Sequence, residues 1–201
     1  MQIRDLMISA PITITANAPI SRAIELMKVN HIRHLPVVSK GKVLEGLVTL
    51  ADLKQGLIPS MLGDVSLKDL MIKDPITVGP EDDIETAAQI IYNHKIGGLP
   101  VTKSGRLVGI ITETDLLRAF IDMMGILSST SRMDVAAGNK PELLKKALQI
   151  INDAGGDVIN VSMTLQKSRK RVYHFRLAAC KTGLIKKALA KGGFDVLAAI
   201  D

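Results

Sequence analysis

The chain has 201 residues, of which 47% are hydrophobic and 23% charged, and its formal net charge is +6. A disordered chain has too few apolar side chains to offset the entropy lost on ordering, so this composition excludes that class. A single cysteine, Cys180, excludes a disulfide framework and a cysteine-rich zinc site. We expect it to pack as a small apolar side chain in a cytoplasmic protein. No segment approaches the ~18 apolar residues of a membrane helix and none reads as a signal peptide, so we expect no membrane partner.

The charge divides the chain into two unlike parts. Residues 1–132 hold 14 Lys and Arg against 14 Asp and Glu, whereas residues 133–201 hold 12 against 6. The whole positive excess therefore lies in the last third of the chain. Residues 127–131 (Leu-Ser-Ser-Thr-Ser) are the predicted linker, because Ser/Thr clusters between periodic segments are typical of loops.

The first part is an internal duplication, with residues 1–62 as one repeat and 63–126 as the other. The offset is 64 residues and becomes 63 after a glycine turn that is one residue shorter in the second copy. Four segments carry the match: residues 3–7, 11–14, 32–37 and 49–53 recur as residues 67–71, 75–78, 96–101 and 112–116.

Each repeat is predicted to fold as strand, helix, strand, strand, helix. The first strand is a short β-prone piece, Thr13–Thr15 in one copy and Thr77–Val78 in the other. Apolar residues at helical spacing follow, and two apolar runs around a Gly turn then predict a hairpin. Half a sheet with two helices cannot cover its own apolar surface, so the two repeats should pack together about a pseudo-twofold axis.

Each repeat carries Thr-x-x-Asp where a strand turns into a helix, as Thr49 with Asp52 and as Thr112 with Asp115. One interpretation is a capping arrangement, in which the hydroxyl and the carboxylate satisfy free N–H groups at the helix start. The other is a ligand site, because a helix N-terminus attracts an anion such as phosphate and an Asp can accept hydrogen bonds from ribose hydroxyls. The residues alone leave both interpretations open.

The two copies differ where Arg33 and His34 of the first match Gly97 and Gly98 of the second. Arg and His can pair with phosphate, whereas paired glycines let a backbone approach a ligand closely. One site is therefore predicted to be built for charge and the other for close fit, with a solvated loop as the alternative for Arg33 and His34. Arg118, one turn past Asp115, is either a further phosphate contact or a surface residue of the helix.

The duplicated part, residues 1 to about 122, resembles a tandem pair of cystathionine-β-synthase (CBS) domains, also called a Bateman module. Its most specific pieces are Ile-Arg-His-Leu-Pro-Val at 32–37 with its copy, and Gly-Ile-Ile-Thr-Glu-Thr-Asp-Leu-Leu at 109–117. In that family AMP, ADP, ATP or S-adenosylmethionine sits in clefts between repeats. The resemblance implies a non-catalytic regulatory module that signals through conformation or through a protein partner, with no obligatory cofactor.

The resemblance also implies a set of ligand-binding residues. Asp52 and Asp115 would hold ribose hydroxyls, and Thr49 and Thr112 would hold phosphate. The remaining members are implied in three groups: Thr13, Ile14, Thr77 and Val78 beside the base; Leu35, Pro36, Gly98, Leu99 and Pro100 at the other wall of the base pocket; and Arg33, His34 and Arg118 near phosphate.

The last part, residues 132–201, is predicted to fold in the order βαββαβ, which is ferredoxin-like. The whole chain is therefore of the α/β (α+β) class. This order, with its turn into the first helix, resembles the ACT domain, a small regulatory module that often binds amino acids. Pro141 is followed by Glu142 where that family commonly has Gly, so dimerisation or a partner role is favoured over amino-acid binding. A CBS pair followed by an ACT-like domain resembles the acetoin-utilisation B family.

Three classes of function remain after these observations. A cytoplasmic adenine-nucleotide sensor, self-associating as a homodimer, is the favoured one. An enzyme is not expected, because the sequence contains no nucleophile elbow, P-loop, metal cluster or dinucleotide fingerprint. A nucleic-acid-binding regulator is the alternative, and its best feature is the basic run at residues 167–171, where a solvated hairpin turn is the other interpretation.

Overall fold

The fold is known from a computed structural model that describes residues 1–55, 65–127, 130–138, 140–166 and 170–201. The chain divides into two compact units, Met1–Leu117 and Arg118–Asp201. The end of the first predicted repeat near residue 62 and the basic residues 167–169 lie outside the described residues.

The first unit is built from two copies of one arrangement, as the duplication predicts. In each copy a helix precedes a β-hairpin and a second helix follows it. The first copy has β1 (Ile8–Ser9), α1 (Ile20–Val29), β2 (His34–Val38), β3 (Leu44–Thr49) and α2, which is described over residues 50–55. The second copy has α3 (Leu67–Leu70), β4 (Ile72–Lys73), α4 (Ile84–His94), β5 (Gly98–Lys103), β6 (Arg106–Thr112) and α5 (Glu113–Met123).

The short strands predicted at Thr13–Thr15 and Thr77–Val78 are reduced to single parallel bridges. Ile14 pairs with Val37, and Val78 pairs with Val101. The Ile14 N–H donates to the Pro36 carbonyl (3.1 Å), and the Val38 N–H donates to the Ile14 carbonyl (2.9 Å). Each segment thus stays beside its hairpin for one residue pair, which buries the apolar side chain without extending the sheet.

The start of each repeat pairs with the sheet of the other repeat. Strand β1 pairs with β6 and strand β4 pairs with β3, which gives the sheets β1-β6-β5 and β2-β3-β4. The side chains follow the same exchange: Ile3 packs in the core of the second repeat, and Leu67 packs in the core of the first. The expected packing of the repeats is therefore achieved by an exchange of N-terminal segments.

Gly46 and Gly109 make room for the exchanged segments. A Cβ atom at Gly46 would lie 2.8 Å from the Ile72 carbonyl oxygen and 2.9 Å from the Met71 Sδ atom. A Cβ atom at Gly109 would lie 2.5 Å from the Met7 Sδ atom. At Gly46 the crossing backbone itself comes too close for a side chain, whereas at Gly109 the close approach is made by the Met7 side chain and the Ile8 carbonyl oxygen lies 3.2 Å away.

Gly46→Ala is expected to lower the free energy of unfolding of the first unit by about 1–3 kcal/mol, a usual cost of overpacking. The clash involves a backbone oxygen, which cannot rotate away as a side chain would. Urea unfolding followed by circular dichroism measures the effect. Gly183→Ala is the control, since nothing lies within 4 Å of a Cβ atom there; an equal loss in both variants would contradict the explanation.

The second unit has the predicted order βαββαβ, which confirms the ferredoxin-like fold class. Its four strands form one antiparallel sheet in the order β10-β7-β9-β8. The elements are β7 (Thr130–Ala137), α6 (Pro141–Asp153), β8 (Val158–Leu165), β9 (Arg171–Ala178), α7 (Gly183–Lys191) and β10 (Asp195–Ile200).

Strand β7 begins at Thr130, so Thr130 and Ser131 belong to the sheet and not to the predicted linker. Both residues pair with β9, opposite Ala178 and Leu177. The Ser131 hydroxyl donates to the Cys180 carbonyl and accepts from the Cys180 N–H, each at 2.8 Å. Ser131 is thus a buried strand residue, and its polar side chain is satisfied by a chain segment that sequence spacing does not bring near it.

The two faces of this sheet differ in chemistry. One face packs its apolar residues against α6 and α7 around the fully buried Phe175. The other face carries a polar network, in which Asp134 accepts hydrogen bonds from Arg132 and pairs with His174. Burial alone would raise the pKa of the Asp134 carboxyl, but the hydrogen bonds from Arg132 and His174 hold that pKa below its ordinary value.

Candidate functional site

A cleft of about 660 Å³ lies between the two repeats of the first unit. Its lining residues come from both repeats and include groups of both charges. The lining includes, from the first repeat, Arg33, His34, Thr49 and Lys54, and, from the second, Asp74, Pro75, Ile76, Lys95, Gly97, Gly98 and Glu113. A concave site with an apolar floor and a few convergent polar groups is the usual form of a small-molecule site.

The two Thr-x-x-Asp segments form the caps that one interpretation of the sequence described. The Thr49 backbone N–H (2.8 Å) and hydroxyl (2.7 Å) both donate to Asp52 Oδ2. In the second copy the Thr112 N–H (2.8 Å) and hydroxyl (2.6 Å) donate to Asp115 Oδ2 in the same way. Thr49 lines the cleft, and its two hydrogen bonds hold the Asp52 carboxylate, which is not itself among the lining residues.

The capping bonds decide what each group can still do for a ligand. The single proton of the Thr49 hydroxyl is donated to Asp52, so it is not available to a phosphate oxygen while that bond exists. The next N–H group, that of Leu50, donates to the Arg33 carbonyl (2.9 Å). Among the hydrogen bonds of the described residues none uses Asp52 Oδ1, which leaves that oxygen as an acceptor for a hydroxyl.

His34 occupies the space that the glycine pair of the second repeat leaves open. A Cβ atom at Gly97 would lie 2.7 Å from His34 Nε2, and one at Gly98 would lie 3.5 Å from His34 Cγ. His34 also stands directly opposite Thr49 in the β2–β3 ladder, so both side chains project from the same face. The sequence difference between the two copies therefore lets the repeats pack together, because Gly97 and Gly98 leave room for the imidazole ring of His34.

The charges around His34 oppose one another. Burial lowers the pKa of His34, and the neighbouring Arg33 guanidinium lowers it further, while Glu113 and Asp52 act in the opposite direction. The net result is a pKa below the ordinary value for histidine. The cleft therefore presents a neutral imidazole at neutral pH, beside the cations Arg33, Lys54 and Lys95.

Several residues implied by the resemblance are held in the cores and do not point at the cleft. Leu35 and Leu99 are fully buried, and Ile14 and Val78 are nearly so. Pro36 and Pro100 are buried as well, and their carbonyls accept the N–H groups of Ile14 and Val78. Thr13 is half-buried, whereas Thr77 and Arg118 are exposed.

The cleft also contains residues that the sequence reasoning missed. Pro75 and Ile76 line it, whereas the neighbouring Val78 packs in the core of the second repeat. Lys54 lies in α2, Lys95 at the C-terminal end of α4 and Glu113 at the start of α5, and no local pattern marked these three charged residues as ligand contacts. The repeat alignment was the one available signal for Pro75 and Ile76, since it marks this segment in both copies.

Two short α/β repeats that exchange their N-terminal segments and enclose a polar-rimmed cleft define a two-repeat regulatory ligand-binding module. The CBS domain family matches this chain at residues 3–58 and again at 67–122. The chain belongs to the CBS domain family, with the two domains in tandem.

Solved CBS pairs have the same fold. An acetoin utilization protein, AcuB, from Vibrio cholerae is 32% identical, with a TM-score of 0.58 over 63% of this chain and 94% of that one. The CBS domain pair of protein MJ0100, solved with 5′-methylthioadenosine and S-adenosyl-L-methionine, is 27% identical, with a TM-score of 0.56 over 60% and 95%. CBSX2 from Arabidopsis thaliana, solved with AMP, is 25% identical, with a TM-score of 0.54 over 60% and 96%.

Curated relatives include much longer enzymes. A homoserine O-acetyltransferase from Methanocorpusculum labreanum is 37% identical over 118 residues, which are 58% of this chain and 23% of that protein. The chain thus spans about a quarter of the length of that relative. Within the described residues no helix combines the length and apolar character needed to cross a bilayer.

Proposed function

We propose that this chain is a non-catalytic, cytoplasmic regulator that binds an adenosine-containing ligand in the cleft between its CBS repeats. AMP, ADP, ATP and S-adenosylmethionine are the candidate ligands. The observation that carries the proposal is the position of Thr49, whose hydroxyl donates to Asp52, on the wall of an inter-repeat cleft. The fold of CBS pairs solved with AMP and with S-adenosyl-L-methionine supports it.

Four polar residues at or beside the cleft, Arg33, His34, Thr49 and Asp52, have separate roles in this proposal. Asp52 Oδ1 accepts a ribose hydroxyl, and Thr49 orients the carboxylate by donating to Oδ2. Pro75 and Ile76 provide an apolar surface for the base. The phosphate, where the ligand has one, lies near Arg33 and His34. Thr112 and Asp115 form the corresponding pair of the second repeat.

A thermal-shift panel of AMP, ADP, ATP, S-adenosylmethionine and adenosine tests the proposal. A ligand at 100 times its Kd should stabilise the chain by about 2.7 kcal/mol, because it binds only the folded state. The shift is expected to disappear in the double variant Asp52→Ala with Asp115→Ala. Each shift is measured against the same variant without ligand, since loss of a cap itself costs about 1 kcal/mol.

Asp69→Ala is the matched control. Ser66 donates to Asp69 Oδ2 through both its N–H and its hydroxyl, so this cap has the same geometry, and it does not line the cleft. The control variant should retain the ligand-induced shift. The absence of a shift with every compound would rule out the sensor function, and a shift that survives in the double variant would rule out the residue assignment.

For the second unit we propose an ACT-like role in self-association as a homodimer or in contacts with a protein partner. Helix α6 begins at Pro141, as in the resemblance, and the exposed Glu142 follows it. Nucleic-acid binding is the weaker alternative, because Tyr173, Phe175 and Phe194 are buried in the core and cannot stack on bases. The positive charge of this unit is the remaining support for nucleic-acid binding. Affinity for nucleic acid that falls steeply as the salt concentration rises would favour this alternative.

A further inference from the structure

We propose that His34 makes the cleft selective for adenosine ligands that carry a phosphate, by taking up a proton when the phosphate binds. This inference rests on the proposed function and names both the ligand class and the selecting residue. Phosphate-free adenosine compounds, including the sulfonium cation S-adenosylmethionine, should bind without proton uptake.

The position of the ring is the first support. The His34 imidazole is held between its own hairpin, where it stands opposite Thr49, and the backbone of Gly97 in the other repeat. It lines the cleft together with the guanidinium of Arg33 and the ammonium groups of Lys54 and Lys95. A phosphate drawn to these cations therefore arrives beside a titratable ring that has little freedom to turn away.

The surrounding charges are the second support. The groups that act on the ring are Arg33, which precedes it in the chain, Asp52 on α2 and Glu113 on α5, while Asp74 also lines the cleft. Without a ligand, burial and Arg33 hold the pKa of His34 below its ordinary value, so the ring is neutral at pH 7.5. An incoming phosphate then meets a neutral ring, while the carboxylates of Asp52 and Glu113 both act on that ring.

A bound phosphate changes this balance. Its negative charge raises the pKa of His34, since an adjacent opposite charge favours the protonated form. The protonated ring then offsets both the phosphate and the carboxylates of Asp52 and Glu113. Because the pKa is higher in the complex than in the free protein, affinity rises as the pH falls from above the pKa of the complex to below that of the free protein.

Isothermal titration calorimetry in two buffers of different ionisation enthalpy measures the proton uptake directly. We expect uptake on binding AMP at pH 7.5 and none on binding adenosine, which lacks only the phosphate. Each unit of pKa increase allows up to about a tenfold gain in affinity. The Kd for AMP should therefore fall by about threefold to tenfold between pH 8 and pH 6.5, while the Kd for adenosine stays constant.

His34→Asn should remove the proton uptake and the difference in pH dependence, and the exposed His31→Asn should leave both unchanged. Proton uptake that persists in His34→Asn, or equal and uptake-free binding of AMP and adenosine, would overturn this inference while the proposed function stands. Failure of every adenosine compound to bind would overturn the proposed function itself. If His34→Asn does not fold, His34→Gln takes its place, because the second pKa of the phosphate itself is about 6 and a variant at residue 34 is needed to separate the two groups.

Discussion

Replacement of Phe175 by alanine is expected to lower the free energy of unfolding of the second unit by about 3–5 kcal/mol. Phe175 is 0% exposed at the centre of the core formed by the sheet with α6 and α7. Its ring centroid lies 6.3 Å from that of Tyr173. Truncation loses the transfer free energy of a buried ring and leaves a cavity that the surrounding strands cannot fill.

Differential scanning calorimetry with and without AMP measures this effect and assigns it to one unit. The second unit should unfold earlier in Phe175→Ala, whereas an AMP-dependent shift should persist because the cleft is lined by the first unit alone. Phe120→Ala is the control, since Phe120 is 57% exposed, and its effect should stay within about 0.5 kcal/mol. Loss of the AMP response in Phe175→Ala would show that the cleft depends on the second unit.

Ile3→Ala is expected to destabilise the first unit by about 2–5 kcal/mol, although residue 3 lies at the very start of the chain. Ile3 is 0% exposed and packs with Leu99 and Ile111 of the second repeat. Its N–H also donates to the Asp82 carbonyl (2.9 Å). A large effect here would be the direct signature of the exchanged segment, because Ile3 is buried in the core of the other repeat.

Urea unfolding of Ile3→Ala and of Ile8→Ala makes the comparison. Ile8 lies in the same exchanged segment but is 48% exposed, so its truncation removes little buried surface. A small effect of Ile3→Ala, similar to that of Ile8→Ala, would contradict the packing of the N-terminus in the second repeat.

Local patterns predicted most of the elements but not the exchange between repeats. Helical spacing and the Gly-turn hairpins are encoded within about ten residues, and both were recovered in each copy. Strands β1 and β4 have two residues each, too few for any periodicity, and their partners are distant, as in the pairing of Ile8 with Ile110. The sequence showed the matching segments 3–7 and 67–71 but could not show that each packs in the other repeat.

The candidate site was predictable to a similar degree. The Thr-x-x-Asp spacing offered capping as one of two interpretations, and the capping bonds are formed because that geometry is local. The implied role of Asp52 in ribose binding stays a prediction. The contact of His34 with Gly97 depends on how two hairpins approach each other, which no single segment encodes. The alignment of the two repeats nevertheless matched Arg33 and His34 with Gly97 and Gly98. It therefore identified the positions that differ, although it could not predict the contact between His34 and Gly97.

The exchange of N-terminal segments makes the two repeats one cooperative unit. Each three-stranded sheet contains a strand from the other repeat, and each core contains one of its apolar residues. Opening either repeat therefore removes a strand and a core side chain from its neighbour, so neither half is a separate folding domain. A ligand bound at one wall of the cleft therefore stabilises both repeats against unfolding. This includes chain segments that make no contact with the ligand.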